Sequence, residues 1–270
     1  MSIPPTVAAL VQARRDAQPL ASFPGEIPRT LAEAYALQEA GIRLWGEEPI
    51  GWKVGRIPSE LQAQFECDRV AGPIFRGTVT RAREAQVVEV PVYVGGFAAV
   101  EAEFVYELCE DSPPGRRQWT LAEVAALRGK MRLGVEMAGS PLRSINELGP
   151  TVIAADFGNN TGLIVGATIE DWGRLPPTSY DCEVRIENLV VGRGSAQDIP
   201  GGPLESVRFL LEHLAARGRT LRAGQFVSTG AVTGVHAIEA AQSAHVSFAA
   251  RGVIRLRTVA AKARAAGRAP

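Results

Sequence analysis

The sequence predicts an α+β fold built around a folded or rolled, antiparallel-rich sheet, with a small helical segment at its N-terminus. Strand-like segments outnumber helical ones and do not alternate strictly with them, which argues against a doubly wound parallel sheet. Both of the first two periodic segments are helical and lie before residue 49. At 270 residues, with 46% hydrophobic and 21% charged side chains, the chain can bury a sizeable core without staples.

The elements follow in order. Val7 to Arg15 reads as a short helix. Thr30-Leu31-Ala32-Glu33 has capping-box spacing and opens a helix with Leu31, Ala34, Tyr35, Ile42 and Trp45 on roughly one face. Residues 1–48 are thus expected to form a helical cap on a β-rich body over 49–260. A basic tail over 261–270 reads as a solvated end. Ile50 to Gly55 is a short strand bounded by glycines, and Pro58 starts a brief helix to Phe65. Gln86 to Tyr93 is a valine-rich strand in which Pro91 argues for a sheet edge.

Val100 to Leu108 alternates, with Glu101, Glu103, Val105 and Glu107 on one face and Val100, Ala102, Phe104, Tyr106 and Leu108 on the other. Thr120 and Glu123 repeat the capping box ahead of a helix reaching about Arg128. Met131 to Met137 reads as a strand. Thr151 to Gly162 reads as a strand ending in a polar loop, and Leu163 to Ile169 continues as strand. Cys182 to Val191 turns at Glu187-Asn188. Pro203 to Ala216 is a helix with Val207, Leu210, Leu211 and Leu214 on one face and Gly218 past its end. Phe226 to Thr229 and a hairpin over His245 to Val259, turning at Arg251-Gly252, complete the sheet.

Composition excludes several classes. With 29 basic and 29 acidic side chains there is no electrostatic footprint for nucleic acid. No apolar run is long enough to cross a bilayer, and Met1 to Pro5 starts no secretion signal, so a cytoplasmic protein with no membrane partner is expected. Cys67, Cys109 and Cys182 fit neither a zinc site nor a disulfide framework. No histidine pair has metal spacing, and His213 falls toward the polar side of its helix.

Chemistry concentrates on acids. Glu101 and Glu103 lie on one face of a strand, about 7 Å apart at Cα. Such a pair is either a solvated face or a site for a hard divalent cation such as Mg²⁺ or Mn²⁺, which prefers oxygen ligands. Glu136 sits in an otherwise apolar strand and needs either an arginine or a cation. Lys53, between apolar neighbours and glycines, is either an exposed strand lysine or a seat for a substrate carboxylate. Asp156, Asn159 and Asn160 lie in a polar loop that also reads as an Asx-type turn. In Ser228-Thr229-Gly230-Ala231-Val232-Thr233-Gly234, small residues let backbone amides approach an anion.

Taken together, Gly51-Trp52-Lys53-Val54-Gly55, Val100-Glu101-Ala102-Glu103, Glu136, Ala155-Asp156 with Asn159-Asn160, Gly162 to Gly166, and Leu221 to Gln225 before Ser228-Thr229-Gly230 resemble one family. It is the 2-keto-4-pentenoate hydratase and 4-oxalocrotonate decarboxylase group of the fumarylacetoacetate hydrolase superfamily. The resemblance implies that superfamily's mixed β-roll or barrel-like domain and a homo-oligomer. It also implies a divalent-metal-dependent lyase hydrating a 2-hydroxy-dienoate or 2-keto-enoate in the catabolism of aromatic compounds. Glu101, Glu103 and Glu136 match the metal ligands, and Lys53 and Asp156 the catalytic positions. Asn159, Asn160, Thr229 and Thr233 are expected to contact substrate. The sequence departs from the pattern at Arg76-Gly77, Phe157 and Ala231. Decarboxylation, acylpyruvate C–C hydrolysis or a catalytically altered binding protein are the alternatives.

Overall fold

The computed structural model describes residues 3–264. In chain order these are α1 (Pro5–Asp16), α2 (Leu31–Trp45), β1 (Pro49–Arg56), α3 (Ser59–Phe65), β2 (Arg69–Phe75), β3 (Val79–Arg81), β4 (Val87–Val92), β5 (Phe97–Leu108), α4 (Leu121–Ala126), β6 (Gly129–Ser140), α5 (Ile145–Leu148), α6 (Pro150–Ala155), β7 (Asn160–Thr168), β8 (Asp181–Ile186), β9 (Leu189–Ser195), α7 (Pro203–Ala216), β10 (Phe226–Ser228), β11 (His236–Ala237), β12 (Ser243–Ser247) and β13 (Val253–Ala260).

The strands form two sheets. The larger runs β2-β1-β10-β5-β6-β7-β3, with β11 also pairing to β5; the smaller runs β4-β13-β12-β8-β9. The larger sheet is rolled. Ile74 of β2, Val105 of β5, Leu163 and Val165 of β7 and Phe226 of β10 form one buried cluster, although β2 and β7 are far apart in strand order. These side chains meet only if the sheet curls around them. The smaller sheet covers the outer face, where Val90, Val184, Val246 and Leu256 join Val100, Ala102, Phe104 and Val135 in the main core. This two-layer packing around a rolled sheet is the predicted α+β architecture.

Strand alternation on β5 then orders the interior of the roll. Its inner face carries Glu101 and Glu103, then the apolar Val105, then Glu107, whose carboxylate accepts from Arg81 at 2.9 Å and Arg132 at 2.5 Å. The apolar cluster therefore separates two acidic ends, one paired with arginines and one not.

Both capping boxes form, at Thr30/Glu33 and Thr120/Glu123. Among the described residues β4 pairs with β13 alone, so Pro91 lies in an edge strand as its missing N–H requires. The strand expected over Thr151–Gly162 is corrected. Residues Pro150–Ala155 are a helix, and a turn at Phe157–Asn159 precedes β7. Val152 and Ile153 are β-branched and suggested a strand, but Pro150 suits a helix start and Val152, Ala154 and Ala155 are buried by tertiary packing. His213 is also corrected: it packs between the rings of Tyr35 and Phe209, with centroids at 4.4 and 5.3 Å. In the tail, Arg264 pairs with Glu47 at 2.7 Å; the tail beyond residue 264 lies outside the described residues.

Candidate metal centre and active site

Glu101 and Glu136 are direct register partners across β5 and β6, and Glu103 lies two residues along the same face of β5. One carboxylate oxygen from each of the three lies within 4.8 Å of the others. Glu103 and Glu136 have no solvent exposure and Glu101 has 5%. Like charges opposite one another in a sheet repel, and burial removes the water that would screen them. Burial, and then the neighbouring Glu136, push the Glu101 carboxyl up to about 8. The same causes raise Glu103 well above the ordinary range.

Among the described side chains, Lys53 of β1 is the cation bound to this trio, with Nζ 3.5 Å from Glu136 Oε1. Burial works to lower its pKa, but Glu136, Glu101 and Glu103 outweigh that and raise it. A single ammonium can offset only one carboxylate charge, and burial drives Glu101 and Glu103 toward their protonated forms instead. Among the described residues Glu136 has no arginine partner; the carboxamide of Asn160 donates to its Oε1 at 2.9 Å. Glu103 Oε2 accepts from Ser228 Oγ at 2.5 Å and from the Gly230 amide at 3.0 Å. Both sets of donors orient carboxylates without neutralising them. Glu103 Oε1 and Glu136 Oε2 are buried with no hydrogen-bond partner among the described residues. Convergent, oxygen-only and partly unsatisfied, the trio fits a hard divalent cation.

The strand order makes this centre. β1, β10, β5 and β6 are consecutive neighbours, bringing Lys53, Ser228, Glu103 and Glu136 onto one stretch of the inner face. Between β10 and β11, both paired to β5, residues 229–235 loop over the strand, with amides of Thr229 and Val232 donating to Phe104 and Ala102 carbonyls.

A cavity of about 320 Å³ opens beside the trio, and Lys53, Glu101, Asn159, Thr229, Gly230 and Ala231 are on its wall. Asn159 donates to Asn146 Oδ1 at 3.2 Å, while its own Oδ1 is buried without a partner. Asn160 touches Glu136. Thr229 Oγ1 donates to the Phe104 carbonyl at 2.8 Å. Thr233 is not on the wall; its hydroxyl meets His236 Nε2 at 3.1 Å. Asp156 is also off the wall, 1% exposed, with Arg14 at 2.6 Å and Ser140 at 2.5 Å.

Three features escaped the sequence reading. Arg14 follows Val7, Leu10 and Val11 on the buried face of α1, and an arginine at that spacing was the available signal. Arg56 and Arg69, register partners on β1 and β2, both reach the cavity wall. Ser228, whose hydroxyl holds Glu103, stands in a run of small residues with no motif of its own. The departures also find places. Phe157 packs with Trp45 and Phe75 at 5.9 and 5.2 Å, and Arg76 lies in a separate groove with Arg222 and Arg264.

No family model matches the sequence. The chain is 25% identical over 255 residues to 2-keto-4-pentenoate hydratase 2 of Dechloromonas aromatica (strain RCB), covering 92% of this chain and 95% of that protein. It is 26% identical over 220 residues to hydratase 1 of that organism, covering 80% and 81%. Among solved structures, 4-oxalocrotonate decarboxylase from Pseudomonas putida G7, complexed with magnesium and adipate, is similar with a TM-score of 0.75 at 22% identity, covering 94% and 97% of the two chains. Fumarylpyruvate hydrolase from Pseudomonas aeruginosa, with Mn²⁺ and pyruvate, matches with a TM-score of 0.57 at 15% identity, covering 78% and 89%.

Proposed function

We propose that this member of the hydratase and decarboxylase group of the fumarylacetoacetate hydrolase superfamily is a divalent-metal-dependent lyase that adds water to a 2-hydroxy-dienoate or 2-keto-enoate. The observation that carries the reading is the buried trio of Glu101, Glu103 and Glu136, with two unpartnered oxygens, beside Lys53 at the wall of one cavity.

Glu101, Glu103 and Glu136 would hold Mg²⁺ or Mn²⁺. A cation there supplies positive charge that polarises a 2-keto group and favours the enolate. The other parts belong to the chain. With the acids alone around it Lys53 is held as an ammonium and can receive the substrate carboxylate; a cation on the three glutamates would offset their charge and bring the lysine down toward the range in which it can donate a proton to the developing carbanion. Asn159 offers its free carboxamide oxygen to a hydroxyl or water on the cavity side. Thr229 and Gly230 bring backbone close to the ligand, and Asn160 orients Glu136. Asp156 acts through the turn that it anchors, not on the substrate. Thr233 contributes by holding His236 at the loop end.

The test is turnover of 2-hydroxypenta-2,4-dienoate with Mg²⁺ or Mn²⁺. Loss of dienol absorbance without CO₂ supports hydration. No turnover, with the metal bound, supports the altered homologue.

One observation favours decarboxylation as a second reading. Arg56 and Arg69 on the cavity wall could pair with a second carboxylate, as a dicarboxylic keto acid would carry. CO₂ release from 4-oxalocrotonate would support it. We further propose a cytoplasmic homo-oligomer serving aromatic catabolism; light scattering of the purified protein tests the assembly.

A further inference from the structure

Arg14 is carried by α1, outside the rolled sheet, yet its guanidinium lies within the protein at 5% exposure. It makes four donations. Nε reaches Asp156 Oδ1 at 2.6 Å, Nη1 the Asn160 carbonyl at 2.9 Å, and Nη2 the carbonyls of Gly139 and Asp156, both at 3.1 Å. Ser140 Oγ donates to the remaining Asp156 oxygen at 2.5 Å. Three of these four acceptors belong to residues 156–160, and the fourth, Gly139, is the residue before Ser140.

That segment follows an uncommon path. Phe157, Gly158 and Asn159 have φ of 54°, 68° and 60°, three left-handed residues in succession. Two of them carry a Cβ, for which this conformation is unfavourable. The turn is also wedged into the seam of the roll, where a Cβ on Gly158 would lie 2.7 Å from Gly72 Cα. Such a path persists only where its surroundings over-determine it. The two residues that leave the turn are Asn159, with its free carboxamide oxygen on the cavity wall, and Asn160, bonded to Glu136.

A buried ion pair is a poor device for stability alone, because desolvating both charges offsets their attraction. It is a good device for fixing one conformation. We infer that Arg14 is a positioning residue: through Asp156 and the carbonyls around it, the arginine holds residues 156–160 in the conformation that delivers Asn159 to the cavity and Asn160 to Glu136. The inference rests on the proposed reading of the cavity as the active site. It makes α1 a working part of that site.

The test compares the intact protein with Arg14→Lys and with the double variant Arg14→Met/Asp156→Asn, which strands no carboxylate. Backbone hydrogen exchange and steady-state kinetics are both measured with Mn²⁺ present. The expected result is exchange over 156–162 at least about tenfold faster in both variants, with the rest of the sheet unchanged. kcat/KM should fall about tenfold or more, as misplaced contact groups cause. Arg14→Lys should not rescue either readout, since an ammonium cannot reproduce a planar fork with four donations. Unchanged exchange over 156–162, faster exchange throughout the protein, or a fully active Arg14→Lys would each overturn the inference. If the wild-type protein turned over none of the dienoates, the functional reading would fail, and the exchange data would still decide whether Arg14 holds the turn.

Discussion

Glu101 and Glu136 face each other directly across β5 and β6, both buried, with Glu103 beside them and a single lysine in reach. The sheet can relieve that repulsion by keeping protons on the acids, the direction in which Glu101 and Glu103 are driven, or by holding a cation that displaces those protons. Binding Mn²⁺ or Mg²⁺ should therefore stabilise the fold, by about 2.7 kcal/mol at a concentration 100 times Kd. Glu103→Gln removes one carboxylate ligand from the cluster. It should weaken metal affinity, lower activity and abolish most of the metal-induced rise in Tm, while leaving the metal-free protein at least as stable as wild type. Calorimetry with and without EDTA measures all of this. A full metal-induced shift in Glu103→Gln would remove Glu103 from the ligand set.

Lys53→Met separates substrate handling from metal handling. Lys53 lies against Glu136 but also on the cavity wall. The variant should lose about 100-fold or more in kcat/KM, a magnitude ordinary for a positioned proton donor, while Mn²⁺ affinity changes far less than in Glu103→Gln. Isothermal titration and kinetics on both variants check the contrast. Equal metal loss in the two would show that the lysine belongs to the cation site and not to the substrate.

The parts of this site that were legible in the sequence depend on local periodicity. Alternation in β5 put Glu101 and Glu103 on one face, and an acid in an apolar strand marked Glu136. Their convergence was not local. It comes from β5 pairing with β6 and from the order β1-β10-β5-β6, and only the resemblance to a known family anticipated it. Propensity misread residues 151–156, because Val152 and Ile153 are helical here by packing and not by preference. Asp156 stands in a legible polar loop, but its partner is 142 residues away on α1, and nothing near it in sequence names Arg14. Arg56 and Arg69 were missed because neither lies in a motif; the antiparallel register of β1 and β2 brings them together.

Arg69 offers a test of what the cavity accepts. Its side chain is buried at the wall and bonded to Asp68 and the Pro200 carbonyl, which fix its position. Arg69→Met should raise KM about tenfold or more for a dicarboxylic keto acid such as 4-oxalocrotonate, the loss of one charge-assisted contact. For the monocarboxylic 2-hydroxypenta-2,4-dienoate, KM should stay within about twofold. Parallel increases for both substrates would mean that Arg69 shapes the cavity and reads no second carboxylate.

His213 gives the protein a built-in acid sensitivity remote from the metal centre. Arg217 Nη1 lies 3.0 Å from His213 Nε2, and a guanidinium can only donate, so the imidazole must accept and stay neutral. Burial, followed by the Arg217 charge, lowers its pKa from 6.5 to about 3, with Glu39 opposing weakly. Below pH 6.5 the unfolded chain takes up a proton at this residue that the folded chain refuses. The contribution is thus complete above about pH 6.5 and is lost as pH falls toward 3, with a slope of up to about 1.4 kcal/mol per pH unit. His213→Gln keeps an acceptor for Arg217 but cannot titrate. Urea unfolding of both proteins at pH 7.5, 6.5 and 5.5 isolates the term, because carboxylates common to both cancel in the difference. The wild type should lose stability faster than the variant on going from about pH 6.5 to 5.5, by about 1 kcal/mol. Identical losses would mean that the imidazole takes up its proton without leaving Arg217, and that the pair does not enforce the neutral form.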